Sequence, residues 1–153
     1  MKYQYTQCGL DNVWLQGGVE IIKTPKGKEG VRIFDMDGLH RAIGGILTEK
    51  PERLTGAEFR FLRVELGLSR RLMAQALALE AENAFERVKK WEEARDEPIR
   101  DAYDPILRMI YRQTILEQDV DFMELVDELR NTDREWHEKV ELTTDDDGWR
   151  EAS

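Results

Sequence analysis

The spacing of apolar residues changes along the chain, from short β-like runs to a helical period. The first third holds three short apolar runs, Val13-Trp14-Leu15, Val19-Glu20-Ile21-Ile22 and Val31-Arg32-Ile33-Phe34. Gly17-Gly18 separates the first two runs, and Pro25-Lys26-Gly27-Lys28 separates the last two. Short β-prone runs joined by glycine-containing turns are typical of hairpins. The pattern predicts a small antiparallel β meander with one hairpin at each turn.

A helical period begins in the next segment. Leu39, Ile43 and Ile46 recur at helical spacing, and Asp37 is a suitable N-cap residue in front of them. Gly44-Gly45 is expected to weaken this helix, because glycine has a low helix propensity.

Four helices are predicted over residues 54–111. Thr55 and Glu58 form a capping box at the start of the first helix, and Gly67 stops it. Ser69 caps the second helix, and Asp104-Pro105 begins the fourth. The four apolar stripes are, in order, Phe59/Leu62/Leu66, Met73/Ala74/Leu77, Phe85/Val88/Trp91, and Ile106/Leu107/Ile110/Tyr111. The third helix is expected to end before Pro98, and a loose turn near residues 79–83 precedes it.

A fifth helix is predicted over residues 120–129. Val120, Met123, Val126 and Leu129 share one face of it, which is a candidate for packing across a two-fold axis. Residues 131–153 then read as a mobile acidic tail. The predicted fold class is α+β, divided into a β-rich segment (residues 1–52), a helical segment (53–113) and a C-terminal helix with its tail (114–153).

The charge of the chain is unevenly distributed. Residues 1–52 have no net charge, residues 53–112 carry +1, and residues 113–153 carry −10, which together give the overall −9. A uniformly basic nucleic-acid binder is therefore excluded, whereas a locally basic face in the middle segment is not.

The residue types that support enzymatic or metal chemistry are sparse. Cys8 is the only cysteine, so the chain has neither an intrachain disulfide nor a CxxC zinc motif. Cys8, His40 and His137 are far apart in sequence, and Asp145-Asp146-Asp147 reads as solvated tail more readily than as a cation site. GxGxxG, P-loop and GxSxG elements are missing. We therefore expect no enzymatic activity, no cofactor and no bound zinc.

The sequence also bears on the compartment of the protein. The first residues, Met1-Lys2-Tyr3-Gln4-Tyr5, lack an apolar signal core, and no apolar run approaches the ~18 residues of a membrane span. A single cysteine suits a reducing compartment. These features predict a cytoplasmic protein.

The helical segment resembles the helix-turn-helix regulators of the Cro/cI (Xre) type. The resemblance rests on short sequence motifs that occur in the same order along the chain. They are Leu62-Arg63, Leu66-Gly67-Leu68-Ser69, Ala74, Val88-Lys89-Lys90-Trp91-Glu92 and Pro98. It implies that small Ala74 lets a recognition helix cross closely, with Phe85 and Val88 on the inner face of that helix.

A second likeness is local. Asn83-Ala84-Phe85-Glu86-Arg87 is similar to the start of the recognition helix in MqsA-type antitoxins, and residues 8–15 and 37–44 are similar to words that precede such modules in bacterial regulators. The chain departs from these patterns in three ways: Arg70 replaces a common Gln, the turn before the recognition helix is about four residues longer, and the zinc-binding cysteine pairs are absent.

These resemblances imply a DNA-binding face. Its candidate residues are Arg70, Arg71, Asn83, Arg87, Lys89 and Lys90. Asn83 and Arg87 are the candidates for reading base edges, and the other four suit phosphates. The same basic residues could equally form a solvated face, since Glu82 and Glu86 lie among them.

The function implied is a sequence-specific transcription regulator, either a repressor or an antitoxin-like autoregulator. It would bind a double-stranded DNA operator as a homodimer, with a cognate toxin or another protein as a further candidate partner. The alternative is a protein-interaction module whose helix-turn-helix-like bundle no longer binds DNA.

Overall fold

The chain has strands at both ends and helices between them. The computed structural model describes residues 2–77, 84–99, 103–118 and 139–152. The strands are β1 (Tyr3–Gln4), β2 (Val13–Leu15), β3 (Val19–Lys23), β4 (Glu29–Ile33), β5 (Val140–Asp145) and β6 (Gly148–Glu151). The helices are α1 (Met36–Glu49), α2 (Gly56–Glu65), α3 (Arg70–Ala76), α4 (Ala84–Glu93) and α5 (Tyr103–Thr114). This confirms the predicted α+β class.

The chain forms two compact units. The sheet unit comprises Met1–Ile43 and Glu138–Ser153, and the helical unit comprises Gly44–His137. These bounds differ from the predicted segments, because α1 continues into the helical unit and the C-terminal strands belong with the N-terminal ones. The predicted fifth helix (120–129) and the predicted loose turn (79–83) lie outside the described residues. Within the described residues, no helix is both long and apolar enough to cross a membrane.

The sheet of the first unit joins the two ends of the chain. Its strand order is β1-β2-β5-β6, and β2 pairs with β5 in parallel. Val13 lies opposite Val140 and Leu15 opposite Leu142, and all four side chains are buried.

The prediction of a mobile acidic tail was therefore wrong for residues 140–151. Val140 and Leu142 are buried with half-buried Glu141 between them, which is the two-residue period of a strand with one covered face. The acidic run that suggested a solvated tail lies at the turn between β5 and β6, where the backbone N–H of Asp147 donates to the side chain of Asp145. Gly148 permits this turn because its φ of 106° is unfavourable for other residues.

Strands β3 and β4 form a separate antiparallel hairpin. Ile21 lies opposite Val31, and the turn between the strands contains Gly27 at a φ of 77°. The hairpin predicted at Pro25-Lys26-Gly27-Lys28 is thus confirmed. The hairpin predicted at Gly17-Gly18 was wrong, because β2 and β3 belong to different sheets.

Gly18 allows close packing against Trp149 and does not form a hairpin turn. A Cβ atom at this position would lie 2.8 Å from the Trp149 ring, and the φ of Gly18 is 69°. The indole N–H of Trp149 donates to the carbonyl oxygens of Phe34 and Asp35. Trp149 therefore fastens β6 to the segment that leads from β4 into α1.

Helix α1 differs from expectation at its start. At the N-terminus of α1, the carboxylate of Asp35, rather than that of Asp37, accepts a hydrogen bond from the backbone N–H of Gly38 at 3.1 Å. Gly44-Gly45 lies inside the helix, which continues to Glu49. At Gly44 a Cβ atom would overlap the Tyr111 hydroxyl, so this glycine allows α5 to approach α1 within the helical unit.

The helical unit begins at the predicted capping box. The Thr55 side chain accepts the Glu58 N–H, and the Glu58 carboxylate accepts the Thr55 N–H. Ser69 caps α3 in a similar manner through the N–H of Leu72. The buried core of the unit comprises Leu47, Leu54, Phe59, Phe61, Leu62, Met73, Ala74, Leu77, Ala84, Val88, Ile99, Leu107 and Tyr111.

Buried polar groups hold the linker between α1 and α2. Lys50 forms a 2.6 Å ion pair with Glu58, and burial lowers the pKa of this lysine. Asp104 accepts the backbone N–H of Leu54 at 2.7 Å, and Arg108 binds both Asp104 and the carbonyl oxygen of Lys50. Buried charges of this kind are tolerated because each is paired and hydrogen-bonded.

The first turn of α2 lies directly against the end of α4. Gly56 and Ala57 donate their backbone N–H groups to the carbonyl oxygens of Glu97 and Arg95. A Cβ atom at Gly56 would overlap the carbonyl oxygen of Trp91. This close approach is possible only for glycine.

The Gly56→Ala substitution should therefore destabilise the helical unit by about 2 kcal/mol, because backbone must move to admit the methyl group. Urea unfolding followed by circular dichroism measures this. The matched control is Gly45→Ala, since a Cβ at Gly45 meets no atom within 4 Å and lies inside α1. The control should be stabilising by about 0.5–1 kcal/mol. Equal effects at the two positions would contradict the close approach of α2 and α4.

The ion pairs of Glu141 should make the stability of the sheet unit depend on pH. Hydrogen bonds from Lys139 and Lys2, at 2.6 and 2.9 Å, lower the pKa of Glu141 from its ordinary 4.5 to about 2. These contacts stabilise the folded state above about pH 4.5, and that contribution is lost as the pH falls towards 2.

The difference in unfolding free energy between the parent and Glu141→Gln should shrink as the pH is lowered through this range. Chemical denaturation at a series of pH values measures it. The difference should also shrink at high salt, because these ion pairs are on the surface. A difference that is constant with pH would contradict the assigned ion pairs.

Candidate nucleic-acid interface

Helices α2 and α3 are joined by a short turn that local hydrogen bonds hold. Gly67 has a φ of 71°, and its N–H donates to the carbonyl oxygen of Val64, while the N–H of Leu68 donates to that of Arg63. Positive φ at Gly67 ends α2 as predicted, and Ser69 caps α3 two residues later. These bonds set the angle between the two helices.

Helix α4 packs on both preceding helices. Ala74 and Met73 are the buried residues of α3, and Val88 is fully buried on α4. Phe59 of α2 meets Trp91 of α4 edge to face, with ring centroids 5.5 Å apart. Helix α4 thus contacts both α2 and α3, although residues 78–83, between α3 and α4, are not among those that the structure describes.

A buried ion pair locks α4 onto α2. The Nε atom of Arg63 donates to Oε2 of Glu92 at 2.8 Å, and its terminal nitrogen donates to Oε1 at 2.7 Å. The second terminal nitrogen of Arg63 donates to the carbonyl oxygen of Leu68 in the turn. Two parallel hydrogen bonds fix the orientation of both side chains, so one arginine links α2, the turn and α4.

Two more arginines approach the same carboxylate. Arg60 lies 3.9 Å and Arg70 lies 3.5 Å from Oε1 of Glu92, and their side chains are 45% and 35% exposed. We name Arg60, Arg63, Arg70 and Glu92 the arginine cluster. Three guanidinium groups face one carboxylate, so within this cluster positive charge exceeds negative charge, and the exposed arginines carry the excess.

The predicted DNA-binding residues occupy different places. Arg70 belongs to the arginine cluster, and the guanidinium of Arg71 lies over the Phe85 ring, 5.7 Å from its centroid. The guanidinium of Arg87 lies 5.4 Å from the Trp91 centroid and 5.6 Å from that of Tyr103. Lys89 is exposed beside Glu93 at 3.7 Å, Lys90 is exposed, and Asn83 lies outside the described residues.

These residues do not form one continuous basic patch. Successive helical residues are rotated by about 100°, so Lys89 and Arg87 point to different sides of α4, and Lys90 lies on the outward face. Glu86 and Glu93 are also exposed on this helix. The excess of positive charge is therefore greater at the arginine cluster than along α4 itself.

The inner face of α4 was wrongly predicted at one position. Phe85 is 36% exposed, whereas Ala84 is buried and stands in line with Val88 and Glu92. Both Phe85 and Ala84 fit a helical stripe through Val88, and the structure places the smaller residue inward. Val88 lies inward as predicted, and Trp91 is half-buried.

Sequence reasoning also missed the role of Arg60. It named Arg63 and Glu92 only as parts of a family resemblance, and nothing in their 29-residue separation indicates an ion pair. The useful signal is that each follows a buried apolar residue by one helical turn: Arg63 follows Phe59, and Glu92 follows Val88.

The isolated cysteine and histidine of the first segment lie beside one tyrosine of the sheet unit. His40 Nε2 lies 2.7 Å from the hydroxyl of buried Tyr5, and the Cys8 thiol lies 3.8 Å from the carbonyl oxygen of the same residue. Among the residues that the structure describes, no three His, Cys, Asp or Glu side chains are grouped so as to hold a metal ion. Both residues thus contact Tyr5 within the sheet unit.

Replacing Glu92 by Gln should destabilise the helical unit by about 3 kcal/mol, because Arg63 would keep a buried charge without its counter-ion. Denaturant unfolding measures this change. The control is Arg60→Gln, which removes an exposed guanidinium at longer distance and should cost at most about 1 kcal/mol. If Glu92→Gln unfolds at the same denaturant concentration as the parent, the ion pair does not lock α4.

Comparison of the chain with protein families, with characterised proteins and with solved structures finds no match.

Proposed function

We propose that the helical unit binds double-stranded DNA with sequence preference, and that the chain acts in the cytoplasm as a homodimeric transcription regulator. It would be a repressor or an antitoxin-like autoregulator. The observation that carries the proposal is the arginine cluster, which joins the proposed recognition helix α4 to α2 and leaves positive charge at the surface beside it.

The rigid attachment of α4 supports the proposal. Its C-terminal half is held by Arg63 and by the close approach of Gly56, and its inner face is held by Val88. Side chains on a fixed helix lose little conformational freedom when they bind, so more of their interaction energy appears as affinity. The outward residues Lys89 and Lys90 are presented in this way.

The arginine cluster suits a phosphate backbone. Arg60 and Arg70 are exposed enough to donate to a phosphate while they remain near Glu92. A guanidinium forms charge-assisted, bidentate hydrogen bonds to phosphate, and release of counterions makes such binding salt-dependent. The overall charge of −9 does not oppose this, because binding responds to the local field.

Arg87 and Asn83 remain the proposed readers of base edges. The contacts of Arg87 with Trp91 and Tyr103 limit the directions in which its guanidinium can extend from α4. One recognition helix reads only a few base pairs, so a homodimer on symmetric half-sites is the arrangement we propose.

One observation favours the alternative, a protein-interaction module. The β3–β4 hairpin carries Ile21 and Val31 opposite each other at 52% and 42% exposure, and Phe34 next to it is 60% exposed. A two-stranded hairpin is marginally stable in water without a cover, and exposed apolar side chains suit a protein partner such as a cognate toxin. This alternative predicts weak DNA binding without sequence preference.

Titration of labelled duplexes, selected from a random pool, separates the two functions. Ala substitution of Arg70, Lys89 or Lys90 should weaken binding to all sequences and lower the salt slope by roughly one unit for each phosphate that is no longer neutralised. Arg87→Ala or Asn83→Ala should cost about 1–3 kcal/mol at the preferred site and reduce discrimination there.

The control for these variants is Lys26→Ala, which removes an exposed lysine from the turn of the β3–β4 hairpin and should leave binding unchanged. Circular dichroism establishes that each variant is folded. If the parent shows no preferred sequence, or if every folded variant binds like the parent, the interaction module becomes the better description.

A further inference from the structure

Phe85 is an exposed aromatic side chain on the proposed recognition helix. It is the second residue of α4 and is 36% exposed, while its neighbour Ala84 occupies the inward position. The other exposed residues of this helix, Glu86, Arg87, Lys89, Lys90 and Glu93, are all charged. Phe85 is therefore the one uncharged side chain among the exposed residues of α4.

The position of the ring is fixed from α3. The guanidinium of Arg71, the second residue of α3, lies 5.7 Å from the centroid of the Phe85 ring. This cation–π contact joins the first turns of the two helices and limits the rotation of an aromatic side chain that has only two torsions. This contact therefore favours one orientation of the ring.

Phe85 shares a side of α4 with a basic residue. Phe85 and Lys89 are four positions apart and thus lie within about 40° of each other around the helix. On this side of α4, Arg71 of α3 lies near the N-terminal end of the helix. Glu92, with the arginine cluster, lies near the C-terminal end. In the proposed complex the N-terminal residues of the recognition helix contact base edges, so Phe85 in the first turn of α4 would face the bases, and Lys89, one turn later, would meet a phosphate.

The chemistry of the major groove selects what a phenyl ring can contact there. Thymine presents a methyl group on C5 beside its O4 acceptor, whereas guanine, adenine and cytosine present hydrogen-bonding groups and no methyl group. A phenyl ring offers no hydrogen bond, so it would desolvate these polar groups without compensation. A methyl group is the one apolar feature that the ring can cover.

We propose that Phe85 is a specificity-determining residue that contacts the C5-methyl group of a pyrimidine in the major groove. This inference rests on the proposed DNA-binding function and deepens it, because it names one feature of the preferred site. Thymine and 5-methylcytosine carry the same methyl group at the same place, and the experiment tests both.

The experiment uses the full chain and the duplex selected from a random pool, with fluorescence anisotropy as the readout. Each thymine is replaced in turn by deoxyuridine, which removes only the methyl group. One position should bind the parent about fourfold more weakly, as expected for one buried methyl group. With a C·G pair at that position, 5-methylcytosine should bind more tightly than cytosine; equal binding of these two would overturn recognition through the methyl group.

The variants assign the effect to Phe85. In Phe85→Ala, thymine and deoxyuridine should bind equally, while Phe85→Leu should keep part of the preference, because leucine is also apolar. The control is Val64→Ala, which shortens an exposed apolar side chain on α2 and should retain the full preference. Circular dichroism checks the folding of each variant.

The outcomes separate this inference from the proposed function. A parent that has a preferred site but tolerates deoxyuridine everywhere, or a Phe85→Ala variant that keeps the full preference, overturns the role of Phe85 and leaves the proposed function standing. A parent without any preferred site overturns both.

Discussion

The ion pair between Arg63 and Glu92 is the interaction on which the helical unit depends. Both side chains are largely withdrawn from solvent, and the pair connects α2 with α4 while Arg63 also binds the turn that leads into α3. Removing two charges from water is costly unless their hydrogen bonds are nearly complete. The unit therefore tolerates few alternative placements of α4, because any shift would leave one of the two charges unpaired.

The same carboxylate connects stability with surface charge. Glu92 neutralises Arg63 in the interior, and its proximity also gathers Arg60 and Arg70, which retain access to solvent. The protein thereby places like charges close together at low cost, since each is near a common counter-ion. A local positive field can thus exist in a chain whose net charge is strongly negative.

Features that depend on neighbouring residues could be predicted from the sequence, whereas contacts between residues distant in sequence could not. The capping box of Thr55 and Glu58, the cap at Ser69 and the stop at Gly67 depend on residues within three positions, so the start and end of α2 and the start of α3 were predicted. Phe85 and Ala84 both satisfy a helical period, and only the packing of α4 in the folded unit decides between them. Strand β5 pairs with β2 across more than 120 residues, and acidic neighbours obscured the brief alternation of Val140 and Leu142.

For the candidate site, basic residues could be named but their ion pair and cation–π partners could not, because most of those partners come from other helices.

The parallel pairing of β2 with β5 has a consequence for the order of folding. The helical unit is inserted between two parts of the sheet unit, so during synthesis all of its residues emerge before β5 does. Domains generally fold as their sequences become available, and contacts distant in sequence form slowly. The helical unit can therefore fold while Val13 and Leu15 still present an open apolar edge, and that edge is closed only when the last strands arrive. In the nascent chain, the sheet unit is consequently the part most exposed to aggregation and to capture by chaperones.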